Sequence, residues 1–144
     1  MATPTPTTTA TKKTPVIETQ DIRSSEDVVR VRQKVRTLAV QVGLGLVDQT
    51  KIITAASELA RNTLDYGGGG HVELEALMLP RRGLRLVFID EGPGIKDIDA
   101  ALRDGFTTGK GMGLGLGGAK RLSSEFAIES SPGKGTRITL ARWK

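Results

Sequence analysis

Apolar residues recur along this chain with two different periods, and the switches between them mark its elements. Val28, Val31, Val35, Leu38 and Val42 stand three or four apart, which places them on one face of a helix. Ser24 or Ser25 offers its N-cap, Glu26 and Asp27 fall in the first turn where the helix dipole favours acids, and Gly43 ends it. A second stripe, Ile52, Ala56, Leu59 and Thr63 with Ile53 and Ala60 beside it, predicts another helix, capped by Asp48 and ended by the glycines at 67–70. Period-two or unbroken apolar runs predict strands at 16–20, 72–77 and 84–89, the last two joined as a hairpin across Arg81-Arg82-Gly83. Residues 97–102 read as a short helix, and another runs to about Leu122 with Lys120 and Arg121 in its last turns. A second hairpin closes the chain, 126–130 and 136–143 around Pro132-Gly133-Lys134-Gly135. Residues 1–15 carry Thr, Pro, Ala and Lys with no period and read as a disordered tail, which leaves 16–144 as one domain.

Composition narrows the function classes. Hydrophobic residues make up 38% and charged residues 26%, the balance of a globular domain rather than a disordered chain. Cysteine is absent and there is one histidine, so thiolate and histidine metal clusters are excluded. His71, between a glycine loop and a strand, reads as a surface residue. No apolar run approaches the roughly 20 residues of a membrane span, and no apolar core of a signal peptide is visible, so a cytoplasmic protein away from membranes is expected. The net charge of +5 allows an anionic partner, but with 3% aromatics and dispersed basic residues a nucleic-acid surface is not expected. The Arg30, Arg32, Lys34 and Arg36 run on the first helix reads as a solvated face.

Three stretches carry chemistry. Asp90 ends a buried strand and is followed by Glu91-Gly92-Pro93-Gly94-Ile95. A carboxylate there is badly placed for packing and well placed to accept a hydrogen bond from a ligand at the sheet edge, while Gly92 and Gly94 let a flat group approach. On the second helix Glu58 and Asn62 are four apart and share a face. Two readings stand side by side: an exposed polar face, or a metal–phosphate site in which the Asn oxygen suits Mg²⁺ and Glu accepts a proton. Seven of the chain's 18 glycines lie between Gly105 and Gly118, a density that suits a mobile lid whose amides cradle phosphates at the start of the next helix. Gly113, Gly115 and Gly118 fit G-x-G-x-x-G, but no strand runs into them. The spacing around Lys110 also fails the Walker pattern, so neither motif applies.

The order is specific: E-x-x-x-N on a helix, D-x-G-x-G after a strand, then Gly105-Phe106-Thr107-Thr108, G-x-G-L-G-L and a final hairpin with Gly135-Thr136. It resembles the GHKL ATP-binding fold of histidine kinases, type II topoisomerases, heat-shock chaperones and MutL. Within it the chain is similar to anti-sigma-factor serine/threonine kinases, above all the RsbT-type switch kinases of the stressosome, over about 16–143. The resemblance implies a two-layer α/β sandwich, a mixed, mostly antiparallel sheet packed on helices. It implies ATP and Mg²⁺ as cofactors. Asp90 would accept from the adenine amino group, with Gly92 and Gly94 at the base and Thr136 supporting it through water. Asn62 would hold Mg²⁺. Lys110, Gly111, Gly113, Gly115 and Leu116 would meet the phosphates, and Glu58 would be the general base. The implied substrate is a STAS-domain antagonist protein, with a phosphatase or sigma factor downstream and room for a homodimer. The other reading is an ATP-responsive anti-sigma factor that acts mainly by sequestering a sigma factor.

Overall fold

The computed structural model describes residues 16–103 and 115–144. The tail at 1–15 and most of the lid, 104–114, lie outside the described residues. The elements in order are β1 (Val16–Ile22), α1 (Ser25–Gln41), α2 (Leu46–Asp65), β2 (Gly70–Leu77), β3 (Gly83–Asp90), α3 (Ile98–Leu102), α4 (Leu116–Arg121), β4 (Glu125–Ser130) and β5 (Thr136–Trp143). The five strands form one sheet in the order β1-β2-β3-β5-β4. Where a mixed, mostly antiparallel sheet was expected, all four pairings are antiparallel.

Strand alternation decides which side chains meet the helices. Val72, Leu74 and Ala76 of β2, Leu84, Leu86 and Phe88 of β3, and Ile138 and Leu140 of β5 are all buried and share one face of the sheet. Leu74, Leu86 and Leu140 stand in one cross-strand row. Against them α1 buries Val28, Val31, Val35 and Leu38, and α2 buries Ile52, Ala56, Leu59, Ala60 and Thr63, the stripes expected from the spacing. The start of α1 is held reciprocally. Ser24 Oγ accepts from the Asp27 amide at 3.2 Å, and the Asp27 carboxylate accepts from the Arg23 amide at 2.9 Å.

Asp48 does not cap α2 as expected. The helix begins earlier, after Gly45, whose carbonyl accepts from the Gln49 amide at 2.8 Å, while the buried Leu44 before it accepts from the Gln49 side chain at 2.8 Å. Asp48 therefore falls inside the first turn, where its carboxylate accepts from Arg142 Nη2 at 2.8 Å and Nε at 3.0 Å. Arg142 occupies a core-facing register position on β5, opposite Leu84, and this ion pair satisfies it at the end of the sheet remote from Asp90.

Candidate functional site

The core-facing side of β3 runs Leu84, Leu86, Phe88, Asp90, so the same alternation that builds the core sets a carboxylate at its rim. Asp90 is half-buried. Its Oδ1 accepts from the Gly92 amide at 2.9 Å, and the Thr136 amide also donates to the carboxylate. Burial pushes the Asp90 carboxyl above the usual aspartate value, and these two amides pull it part of the way back.

A raised carboxyl favours its protonated form in the folded chain. Asp90 therefore contributes most stability below the ordinary value of about 3.9. That contribution is lost as pH rises through the raised one. The stability of wild type minus that of Asp90→Asn is accordingly expected to fall from acid toward neutral pH, as read by urea unfolding at a series of pH values. A difference that rises with pH would contradict it.

The loop after Asp90 lies on the turn between β4 and β5. Gly94 has φ +78° and no room for a Cβ, which would run into the Ser131 carbonyl, so glycine is required both by conformation and by contact. Pro93 O accepts from the Gly133 amide at 2.8 Å, and the Ile95 amide donates to Ser130 Oγ at 2.8 Å. Tyr66, just past α2, donates its hydroxyl to Gly94 O at 3.1 Å.

Helix α2 forms the opposite wall. Asn62, Thr63 and Tyr66 line a narrow cleft with Asp90, Ile95, Leu116, Thr136 and Ile138, over a floor of Leu59 and Phe88. One end of this cleft is a carboxylate and its floor is apolar, the lining chemistry that suits a flat ring with an amino group, in a free volume of about 20 Å³. A wider hollow opens at the same strand ends, where Asp90, Ser130 and Thr136 also line it together with Ile89, Lys134 and Arg137.

Glu58 is exposed one turn before Asn62. It reaches the start of α4: a Cβ on Gly115, which holds φ +68° as the N-cap, would collide with Glu58 Oε2. Leu116, the first residue of α4, is buried in the cleft. Of the expected site residues, Asn62, Asp90, Leu116 and Thr136 line the cleft, Gly92 and Gly94 lie on the loop after Asp90, and Glu58 and Gly115 meet outside it. Lys110, Gly111 and Gly113 lie outside the described residues.

The sequence reading did not single out Tyr66, Gly67 or Ser130 as site residues. Gly67 donates its amide to Asn62 O at 3.0 Å and packs so closely on Asp90 that a Cβ would lie 2.5 Å from the carboxyl carbon. Ser130 could have been noticed as a hydroxyl ending the core-facing run Phe126, Ile128, Ser130.

The family model for histidine kinase-, DNA gyrase B- and HSP90-like ATPases matches residues 47–144. The chain belongs to this ATPase family. The chain is 44% identical to the serine/threonine-protein kinase RsbT of Bacillus subtilis over 85% of its length and 92% of that protein's. It is 27% identical to an anti-sigma F factor of a Thermoanaerobacter species over 90% of its own length and 94% of the relative's. A crystal structure of the RsbU and RsbW domains of a Mycobacterium tuberculosis protein shares the GHKL fold with a TM-score of 0.61 and 24% identity. It matches 90% of this chain, which spans 32% of that one. Among the described residues no helix is long and apolar enough to cross a membrane.

Proposed function

We propose that this chain is an ATP-dependent protein serine/threonine kinase of the RsbT type. It phosphorylates a STAS-domain antagonist in the cytoplasm and thereby switches partners toward a phosphatase or a sigma factor. The observation that carries the reading is Glu58: a carboxylate one turn from Asn62 on α2, standing against the first residues of α4. The extensive likeness to RsbT supports it.

The cleft's donor set fits Mg·ATP. Asp90 receives the adenine amino group, and Gly92 and Gly94 bring the following loop to the base. Thr136 supports the base from β5. Lys110, Gly111, Gly113, Gly115 and Leu116 serve the phosphates. Asn62 supplies a hard side-chain oxygen for Mg²⁺, which neutralises phosphate charge when bound. Glu58 takes the proton from the incoming Ser or Thr hydroxyl and orients its oxygen toward the γ-phosphorus, and ADP leaves.

Transfer of label from γ-phosphate-radiolabelled ATP to STAS-domain proteins encoded near the gene tests this. Labelled Ser or Thr on one of them is the expected result, and ATP binding without transfer to any would reject it. The likeness to an anti-sigma F factor favours a second reading, sequestration of a sigma factor in response to ATP. Co-purification separates the two, since it would yield a sigma factor in place of a STAS protein.

The metal assignment makes a separate prediction. Asn62→Ala is expected to weaken Mg·ATP binding by about tenfold, the loss of one charge-assisted contact. Adenosine affinity should stay near wild type in calorimetry. Equal losses for both ligands would make Asn62 structural.

A further inference from the structure

We propose that Ser130 sets the hydrogen-bonding polarity of the base pocket, and so selects a purine with a 6-amino group over one with a 6-oxo group. Ser130 acts through Thr136, as a positioning residue. The inference rests on the reading that the base lies between Asp90 and Thr136.

Asp90, Thr136 and Ser130 form one cross-strand row on β3, β5 and β4. Ser130 Oγ carries one hydrogen and two acceptor lone pairs. It has three neighbours: the Ile95 amide at 2.8 Å, the Gly135 carbonyl oxygen at 2.8 Å and Thr136 Oγ1 at 2.9 Å. The amide can only donate and takes one lone pair. The carbonyl can only accept and takes the single hydrogen. The second lone pair is then left for Thr136, whose hydroxyl must donate to Ser130. The opposite orientation would leave the Gly135 oxygen facing a serine lone pair at hydrogen-bond distance.

This arrangement has a consequence at the cleft. Thr136 is buried and lines the pocket, and its only hydroxyl hydrogen is turned away toward Ser130. It therefore offers the pocket lone pairs alone, as the Asp90 carboxylate does. An exocyclic amine, with two hydrogens, matches two acceptors. A water between Thr136 and Asp90 that donates to both offers its lone pairs to that amine, and turning a hydrogen to an oxo group would cost it one of those two bonds, so a bridging water weakens the preference and keeps its sign. An oxo group in the same place meets lone pairs with lone pairs, the kind of mismatch that sites built on buried hydrogen bonds reject strongly.

The test compares ATP with inosine triphosphate, which differs at position 6 and the adjoining N1 proton, by calorimetry on wild type, Ser130→Ala and Ser130→Thr. Ser130→Ala frees the Thr136 hydrogen to rotate into the pocket. The ratio of ATP to inosine triphosphate affinity is expected to fall by on the order of tenfold, the scale of one hydrogen bond. Ser130→Thr keeps the hydroxyl and should restore the wild-type ratio. A merely structural role would weaken both nucleotides by the same factor, and an unchanged ratio in Ser130→Ala overturns the inference while leaving the nucleotide site intact. If wild type binds neither nucleotide, the site reading fails and the inference with it. Should Ser130→Ala not fold by circular dichroism, Thr136→Val takes its place. Removing the hydroxyl's lone pairs should lower the same ratio, and an unchanged one overturns the inference.

Discussion

Glu58→Gln is expected to bind ATP as wild type does and to transfer its γ-phosphate to the partner on the order of 10²–10⁴ times more slowly, the usual loss when a general base is removed. Glu58 stands outside the base cleft, on the exposed flank of α2 one turn before Asn62, so the adenine contacts are untouched. Gln keeps the size of the side chain and so its fit against Gly115, where a shorter residue would leave a gap. The complex with the phosphorylatable partner should form and then fail to come apart on adding ATP. Single-turnover transfer and ATP titration on the same preparation check both halves. A wild-type transfer rate in Glu58→Gln would remove Glu58 from the mechanism and the kinase chemistry drawn from it.

The second large effect is on the base. Asp90→Asn should weaken ATP binding by roughly 1.5–3 kcal/mol, about 10- to 150-fold, the worth of a hydrogen bond to a charged acceptor. Asn can keep an oxygen toward the Gly92 amide, so the loop after β3 has the means to hold its shape. Its amino group then faces the ligand's amine as donor against donor. Calorimetry on a folded Asp90→Asn protein decides the matter, and unchanged affinity would move the adenine elsewhere.

The helices were legible because their signals are local. Val28 to Val42 repeat at helical spacing behind a serine cap, and the structure buries those positions. The start of α2 was misread because Asp48 has the chemistry of a cap, while the residue that draws its carboxylate away, Arg142, is on the last strand. No spacing within the helix announces that partner. The site divides in the same way. Asp90 and Asn62 stand in short motifs whose residue types state their chemistry. Ser130 and Gly67 reach the site only through the fold: Ser130 because β4 pairs with β5 beside β3, and Gly67 because the end of α2 lies over the end of β3.

The β3–β5 pairing joins two hairpins, each local in sequence, along a seam between strands far apart in the chain. Local hairpins close at lower entropic cost than pairings between distant strands. Asp90 comes from one side of that seam, and Thr136 and Ser130 from the other, so the base pocket exists only once the two halves of the sheet have zipped together. A nucleotide held there would bind the native state and not its separated halves, and would protect the chain against global unfolding in proportion to the logarithm of its concentration. The durability of the protein itself would then track the total supply of adenine nucleotides, ADP included, because both carry the base that the pocket holds.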